Sequence, residues 1–226
     1  MSPVRRLISL SLAATLTLAG CARNEMPGFN QFESDLSGTL NGSGASSMAA
    51  GMEAWIAYFQ IRHPDVTINY DPTGSGTGRT QFQEGATLFT GSDSYWSEEE
   101  LAGSFPNCAP GTLPWEFPVW IAPIAIMFNL PGITSLNMSA ETVAGIFTGK
   151  IKRWDDPAIA IDNPRVDLPN LSITAVHRSD KSGTTGNFTD YLAKTASEIW
   201  TAGKTEQWPS EYPGEGFCAM VLKHDE

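Results

Sequence analysis

Short runs of glycine, serine and threonine recur at the ends of strand candidates: "NGSGASS" (41–47), "TGSGTG" (73–78), "TGSD" (90–93) and "HRSDKSGTT" (177–185). All but the third lead directly into a helix candidate. A chain that repeatedly passes from strand through such a loop into helix is restricted to α/β architecture with largely parallel pairing. In such sheets a ligand crevice lies outside the carboxyl ends of the strands. The loops fall where that crevice would be. Glycine lets the backbone approach a ligand closely, and Ser and Thr cap helices and supply hydroxyl donors. The first N–H groups of each helix have no intrahelical partner and point at whatever occupies the crevice. A single loop of this kind is more often a turn and a cap. Four of one chemical type, with Arg178 as a fixed cation beside them, describe an oxyanion site.

The elements between the loops follow from periodicity. Met48, Met52, Trp55, Ile56 and Phe59 recur at helical spacing until Pro64. "VTINY" alternates as a strand, with Val66, Ile68 and Tyr70 on one face. A short helix follows "DPTGSG" and stops at Gly85; a strand in "ATLFTG" comes next. Ser97 and Glu100 stand at capping-box spacing for another helix. Pro118 and Pro123 make the apolar run "FPVWIAPIAIMFNLPG" a strand pair or a crossing segment, not a helix. "SAETVAGIFTG" reads as an amphipathic helix through Val143, Ile146 and Phe147, and "LSITAVH" as a strand. "GTTGNFTDYLAK" reads as a helix burying Phe188, Tyr191 and Leu192.

Charge narrows the partner. The 226 residues carry a formal net charge of −11, and 41% are hydrophobic, enough for a packed core. Without a basic face, nucleic acid is not an expected partner. A small anion answers to local N–H groups and one cation, so it is not excluded. "GSGTGRT" has a superficial likeness to a P-loop, but Arg79-Thr80 stands in for the Lys-Ser/Thr pair. No glycine lies five positions before Gly78, so a nucleotide site is not expected. His63, His177 and His224 are scattered and no CxxC occurs, so neither a metal nor a cofactor is expected.

The N-terminus reads as an address. Arg5 and Arg6 precede an apolar run from Leu7 to Ala19, too short for a comfortable membrane span. Leu18-Ala19-Gly20-Cys21 resembles the lipobox of bacterial lipoproteins, in which the signal is cut before the cysteine and the cysteine carries the lipid. Residues 1–20 are then a signal peptide and 21–37 a polar tether. The expected location is the cell membrane, lipid-anchored through Cys21 on the extracytoplasmic side. Each buried acyl methylene contributes about 0.8 kcal/mol to such an anchor. Export permits a disulfide between Cys108 and Cys218; free thiols are the alternative.

The chain closely resembles the phosphate-binding lipoproteins of bacterial phosphate ABC transporters. "GSGAS", "VTINYDPTGSGTG", "GSDSYWSEEEL", "FNLPGI", "IFTGKIKRWDDPAIAIDNP" and "VHRSDKSGTTGNFTDYLAK" match that family's segments in order, over roughly residues 38–209. The resemblance implies a periplasmic-binding-protein-like α/β fold, two lobes with mixed sheets and a ligand cleft between them. Lobe one would run over 38–116 and lobe two over 117–226. It implies that Ser46 gives a hydroxyl donor and Ser47 a backbone N–H, where relatives often carry an aromatic residue. Ser75 would be the donor of the second loop and Asp93 the site carboxylate. Arg178 would reach the anion, Asp180 would pair with it, and Ser182, Gly183 and Thr184 would donate at the helix start.

The implied function is capture of inorganic phosphate by a monomer and its delivery to the permease subunits of an ABC transporter, with no catalysis. Phosphate near neutral pH keeps a proton that Asp93 can accept, whereas sulfate has none. Another tetrahedral oxyanion such as sulfate is the alternative ligand, and a sulfate site should lack that carboxylate. A secreted phosphatase-like hydrolase would need a nucleophile–base pair or a metal cluster, and only His177 lies near the loops. Family members are roughly half as long again, and "CAMVLKHDE" has no counterpart among them. The expectation is therefore a truncated chain with lobe two incomplete, exposed sheet edges and apolar faces, and poor binding or none; a non-functional product is a further alternative.

Overall fold

The computed structural model describes residues 35–217 except Trp120. The expected signal peptide, Cys21, most of the expected tether, Cys218 and His224 lie outside the described residues. Cys108 is half-buried and has no disulfide partner among those described.

Strand β1 (Gly38–Gly44) is the centre of a parallel three-stranded sheet. β2 (Val66–Asp71) lies on one side, with Leu40 opposite Ile68. β3 (Phe89–Gly91) lies on the other, with Gly44 opposite Gly91. Helix α1 (Ala49–Arg62), entered through a short 3-10 turn at Ser46–Met48, connects β1 to β2. Helix α2 (Ser75–Gln83) connects β2 to β3. This is the strand–loop–helix repetition expected from the loops, and it brings the carboxyl ends of all three strands to one edge.

Helix α3 (Glu98–Leu101) begins with the expected capping box: the Glu100 N–H donates to Ser97 Oγ (3.1 Å) and the Ser97 N–H to Glu100 Oε2 (3.0 Å). Ser139 caps α4 (Ala140–Phe147). A helix the sequence reading passed over, α5 (Pro157–Asp162), starts on Asp156, whose carboxylate accepts from the Ala158 N–H at 2.9 Å, with Pro157 in the first turn. β4 (Val176–Arg178) is the ordered end of the "LSITAVH" segment. Helix α6 (Gly183–Thr195) follows it. β5 (Glu215–Phe217) pairs in parallel with β4, Arg178 opposite Phe217; it too escaped the sequence reading.

A second core packs α4 against α6. Val143, Ala144, Leu192, Ala196, Trp200 and Trp208 are its buried members. Phe147 meets Phe188 at 4.9 Å between ring centroids, and His177 stacks on Trp208 at 4.5 Å. Burying such side chains contributes about 1.5–3 kcal/mol each.

One expectation fails. Tyr191 is 48% exposed instead of buried. The buried face of α6 is Gly183, Thr185, Gly186, Thr189 and Leu192, a stripe of mostly small residues at helical spacing, and Tyr191 lies off it. The apolar face of α1 has no buried residue; Trp55 and Phe59 line an open groove instead. The run from Phe117 onward, expected as a strand pair or a crossing segment and not a helix, holds no helix among the described residues, and its pairing there is the isolated bridge between Leu130 and Ile133. Pro118 and Pro123 lack the N–H a ladder needs, and Phe117, Val119 and Ile121 are exposed.

No helix among the described residues is long and apolar enough to cross a membrane. Nor do those residues include a group of three His, Cys, Asp or Glu able to hold a metal ion.

Candidate functional site

Parallel pairing puts the loops after β1, β2 and β3 side by side, and α6 delivers the fourth to the same place. Asp93, in the loop after β3, is where they meet. The Ser47 hydroxyl donates to Asp93 Oδ1 at 2.5 Å, and the Thr184 hydroxyl to Oδ2 at 2.7 Å. The Asp93 N–H donates to Ser75 Oγ at 3.2 Å, and its carbonyl accepts from Asn187 Nδ2 at 2.8 Å. Ser47, Ser75, Thr184 and Asn187 come from three different elements. Asp93 makes no ion pair among the described residues. A carboxylate has about four lone-pair sites, so two hydroxyl donors leave room for a third hydrogen bond.

The amino ends of α2 and α6 abut beside it. A Cβ on Gly183 would lie 2.7 Å from Ser75 Oγ and 2.9 Å from Asp93 Cβ, so only glycine fits there. The Gly76 N–H donates to the Lys181 carbonyl at 3.0 Å, joining one loop to the other. The first intrahelical bond of α6 runs from the Gly186 N–H to the Ser182 carbonyl (3.0 Å), so the N–H groups of Gly183 and Thr184 stand ahead of it. Two helix dipoles therefore present their positive ends to one small region.

Arg178 and Asp180 form a bidentate pair, Nε to Oδ1 at 2.7 Å and an Nη to Oδ2 at 2.5 Å. They sit against Gly74, whose φ of 95° and whose proximity to Asp180 both require glycine. A guanidinium so held is fixed in direction and largely neutralised. Arg178 makes no ion pair with Asp93.

Each residue singled out in the sequence thus has a place. Ser47, Ser75, Gly183 and Thr184 all adjoin Asp93, and Arg178 with Asp180 flanks them through Gly74. Ser182 is 1% exposed, and its hydroxyl accepts from the Thr185 N–H as helix cap. Ser46 opens the 3-10 turn and is half-buried. Ser47, expected to offer its backbone N–H, engages its hydroxyl with Asp93.

Behind the loops lie groups that sequence reasoning missed. Tyr70 donates from its hydroxyl to the Ala45 carbonyl at 2.9 Å. Burial first, then the Asp93 and Asp71 charges, pushes that phenol well above its ordinary range, so it stays a donor. Arg79, set aside above as a failed P-loop residue, is 2% exposed and bonded to Glu100, Glu206, Ser92 and Ser94. Glu100 also binds Lys181 Nζ at 3.1 Å. Burial alone would raise the Glu100 carboxyl; the Ser97 N–H, Lys181 and the Arg79 charge outweigh it and bring it down to about 2.

Ser47, Asp93, Thr184 and Asn187 help line a groove of about 1630 Å³ whose walls also include Trp55 and Phe59.

Comparison with known proteins adds a family. The model of the PBP superfamily domain matches residues 31–225. The chain is similar to the phosphate-binding protein PstS 3 of Mycobacterium leprae, 41% identical over 165 residues, 73% of this chain and 44% of that protein. It is similar to the phosphate-binding protein PstS of Methanocaldococcus jannaschii, 34% identical over 230 residues, covering 95% and 58%. Among solved structures it resembles an ABC-type phosphate transport receptor from Vibrio cholerae at a TM-score of 0.46 and 18% identity, covering 82% and 64%. The chain spans about half the length of the curated relatives it matches.

Proposed function

The chain belongs to the PBP superfamily, and from that premise we propose that it binds inorganic phosphate outside the cytoplasmic membrane and passes it to the permease of an ABC transporter. The observation that carries this reading is the environment of Asp93. It is a carboxylate without an ion-pair partner among the described residues, held open by Ser47 and Thr184 beside two helix amino ends. An anion site that contains a carboxylate suits an anion that brings its own proton. Phosphate does so near neutral pH and donates it to Asp93. Sulfate would face that carboxylate with nothing to donate. Sites built around such a hydrogen bond reject analogues lacking it by as much as ~10⁴-fold.

In this reading the N–H groups of Ser47, Gly183 and Thr184 and the hydroxyls of Ser46, Ser75 and Ser182 donate to the remaining oxygens, while the Ser47 and Thr184 hydroxyls hold Asp93. Arg178, oriented by Asp180, supplies the cation. The anion is held mainly by oriented dipoles, which suits reversible capture. The relatives' names, as phosphate-binding proteins, point the same way. The remainder of the proposal is a lipid anchor at Cys21, a monomer, and two lobes, over 38–116 and from 117 onward, closing on the ligand.

Titration calorimetry of the chain with phosphate and with sulfate tests it. This reading requires saturable phosphate binding with sulfate at least a hundredfold weaker. Equal affinity for both, or no phosphate binding, would sink the reading.

A further inference from the structure

The Arg79 guanidinium is enclosed, at 2% exposure, and spends its donors on both sides of Asp93. One Nη donates to Ser92 Oγ at 2.8 Å and to Ser94 Oγ at 3.1 Å. The Ser92 hydroxyl donates onward to the Ser94 carbonyl at 2.5 Å and accepts from the Ser94 N–H at 3.2 Å. The turn that carries Asp93 is thus closed on itself and clamped from beneath. The other Nη donates to Glu206 Oε2 at 2.6 Å, and Nε to Glu100 Oε1 at 3.1 Å.

Glu206 extends the clamp. Its Oε1 accepts from the Ser94 hydroxyl, and its backbone carbonyl accepts from the Ser182 N–H at 3.0 Å. Ser182 is the cap of the helix that bears Gly183 and Thr184. Arg79 itself stands one helical turn after Ser75. One ion pair therefore ties together the supports of Ser75, Asp93 and Thr184, which belong to three of the four site loops.

We propose that Arg79, held by Glu206, is a positioning residue that fixes the direction of the Asp93 carboxylate and thereby sets the preference for a protonated oxyanion, without touching the ligand. The inference rests on the phosphate-binding reading above. Burying an arginine between two carboxylates is a poor way to gain stability, since desolvation offsets the attraction. A planar fork with five fixed donors is a good way to orient a turn, because the guanidinium dictates where each acceptor sits. Lysine, a point charge, cannot bridge Ser92 and Ser94 while pairing with both acids.

The test compares wild type with Arg79→Lys, Arg79→Met/Glu206→Gln and Ser94→Ala. Ser94→Ala keeps every charge in place and serves where the arginine variants fail to fold. Two measurements are made: the phosphate-to-sulfate ratio of dissociation constants by calorimetry, and amide hydrogen exchange at residues 92–94 and 182–184 in the ligand-free chain. Outer partners that orient metal ligands commonly matter about 10–100-fold, and the same scale is taken for this clamp. The expected result is a loss of about tenfold or more in the ratio, with exchange quickened at 92–94 and 182–184 but not in β1 or β2. Wild type that selects phosphate, with variants that keep the same ratio, would overturn the positioning role alone. Wild type that binds no phosphate would remove the parent reading. Unchanged exchange at 92–94 would then reject the clamp on its own terms.

Discussion

The Thr184 hydroxyl donates to Asp93 at 2.7 Å across 91 residues of sequence. The bond joins the loop after β3 to the first turn of α6, so the carboxylate is fixed by a part of the chain formed much later. Ser47, in the 3-10 turn after β1, holds its other oxygen. Neither donor neutralises the charge. The arrangement keeps an acceptor oriented and unpaired, which is what a proton-bearing anion can use.

Asp93→Asn should erode discrimination rather than folding. The amide keeps the shape and one acceptor but adds an N–H₂ donor that suits an unprotonated oxygen. Phosphate preference over sulfate should fall by about a hundredfold or more, on the scale of sites that lose a discriminating hydrogen bond. Competition calorimetry measures it, and an unchanged ratio would reject the role given to Asp93.

Much of this was legible in the sequence, for a definite reason. Strand, small-residue loop and helix are local events, so β1 to β3, α1, α2 and the Ser97–Glu100 box could be read from spacing alone. The loops that meet at Asp93 could be named for the same reason. What could not be read is non-local. Arg79 and Glu206 are 127 positions apart, and nothing near either residue announces the other. β5 is three residues around a glycine, too short for alternation to register, and exists because β4 offers an edge. Tyr191 was misplaced because apolar class was allowed to choose the buried face of α6. Close packing chose Gly186, Thr189 and Leu192 instead.

Gly74→Ala should damage both the arginine pair and stability. Gly74 has φ 95°, and an added Cβ would come within 2.3 Å of Asp180 Oδ2. Asp180 must then move off Arg178 or the loop must change conformation. A loss of about 1–3 kcal/mol is expected from the backbone term. Urea denaturation gives the stability and phosphate titration the affinity; both should fall. An alanine variant equal to wild type in both would mean that the loop relaxes freely.

Cys21→Ala should release the protein from the membrane fraction. The expectation rests on Leu18-Ala19-Gly20-Cys21 after an apolar run too short to span comfortably. Fractionation of expressing cells with detection of the chain measures it. Equal membrane retention of variant and wild type would remove the lipid anchor from the proposal.

Glu100 should make stability depend on acid. Its carboxyl, ordinarily near 4.5, stands at about 2 because the Ser97 N–H, Lys181 and Arg79 outweigh the cost of burial. A depressed carboxyl contributes stability that is fully present above its unfolded value and is lost as pH falls through the folded one. Wild type should therefore lose stability progressively between about pH 4.5 and 2. Glu100→Gln cannot pair as an anion with Arg79 or Lys181, so it should be less stable than wild type at pH 7. Because the glutamine does not titrate, the gap between the two chains should narrow as pH drops through that window. Urea midpoints at several pH values from 7 to 2 measure the gap. A gap that stays constant with pH would show that Glu100 acts only as a hydrogen-bonded cap on α3, and that its charge adds nothing to the clamp behind Asp93.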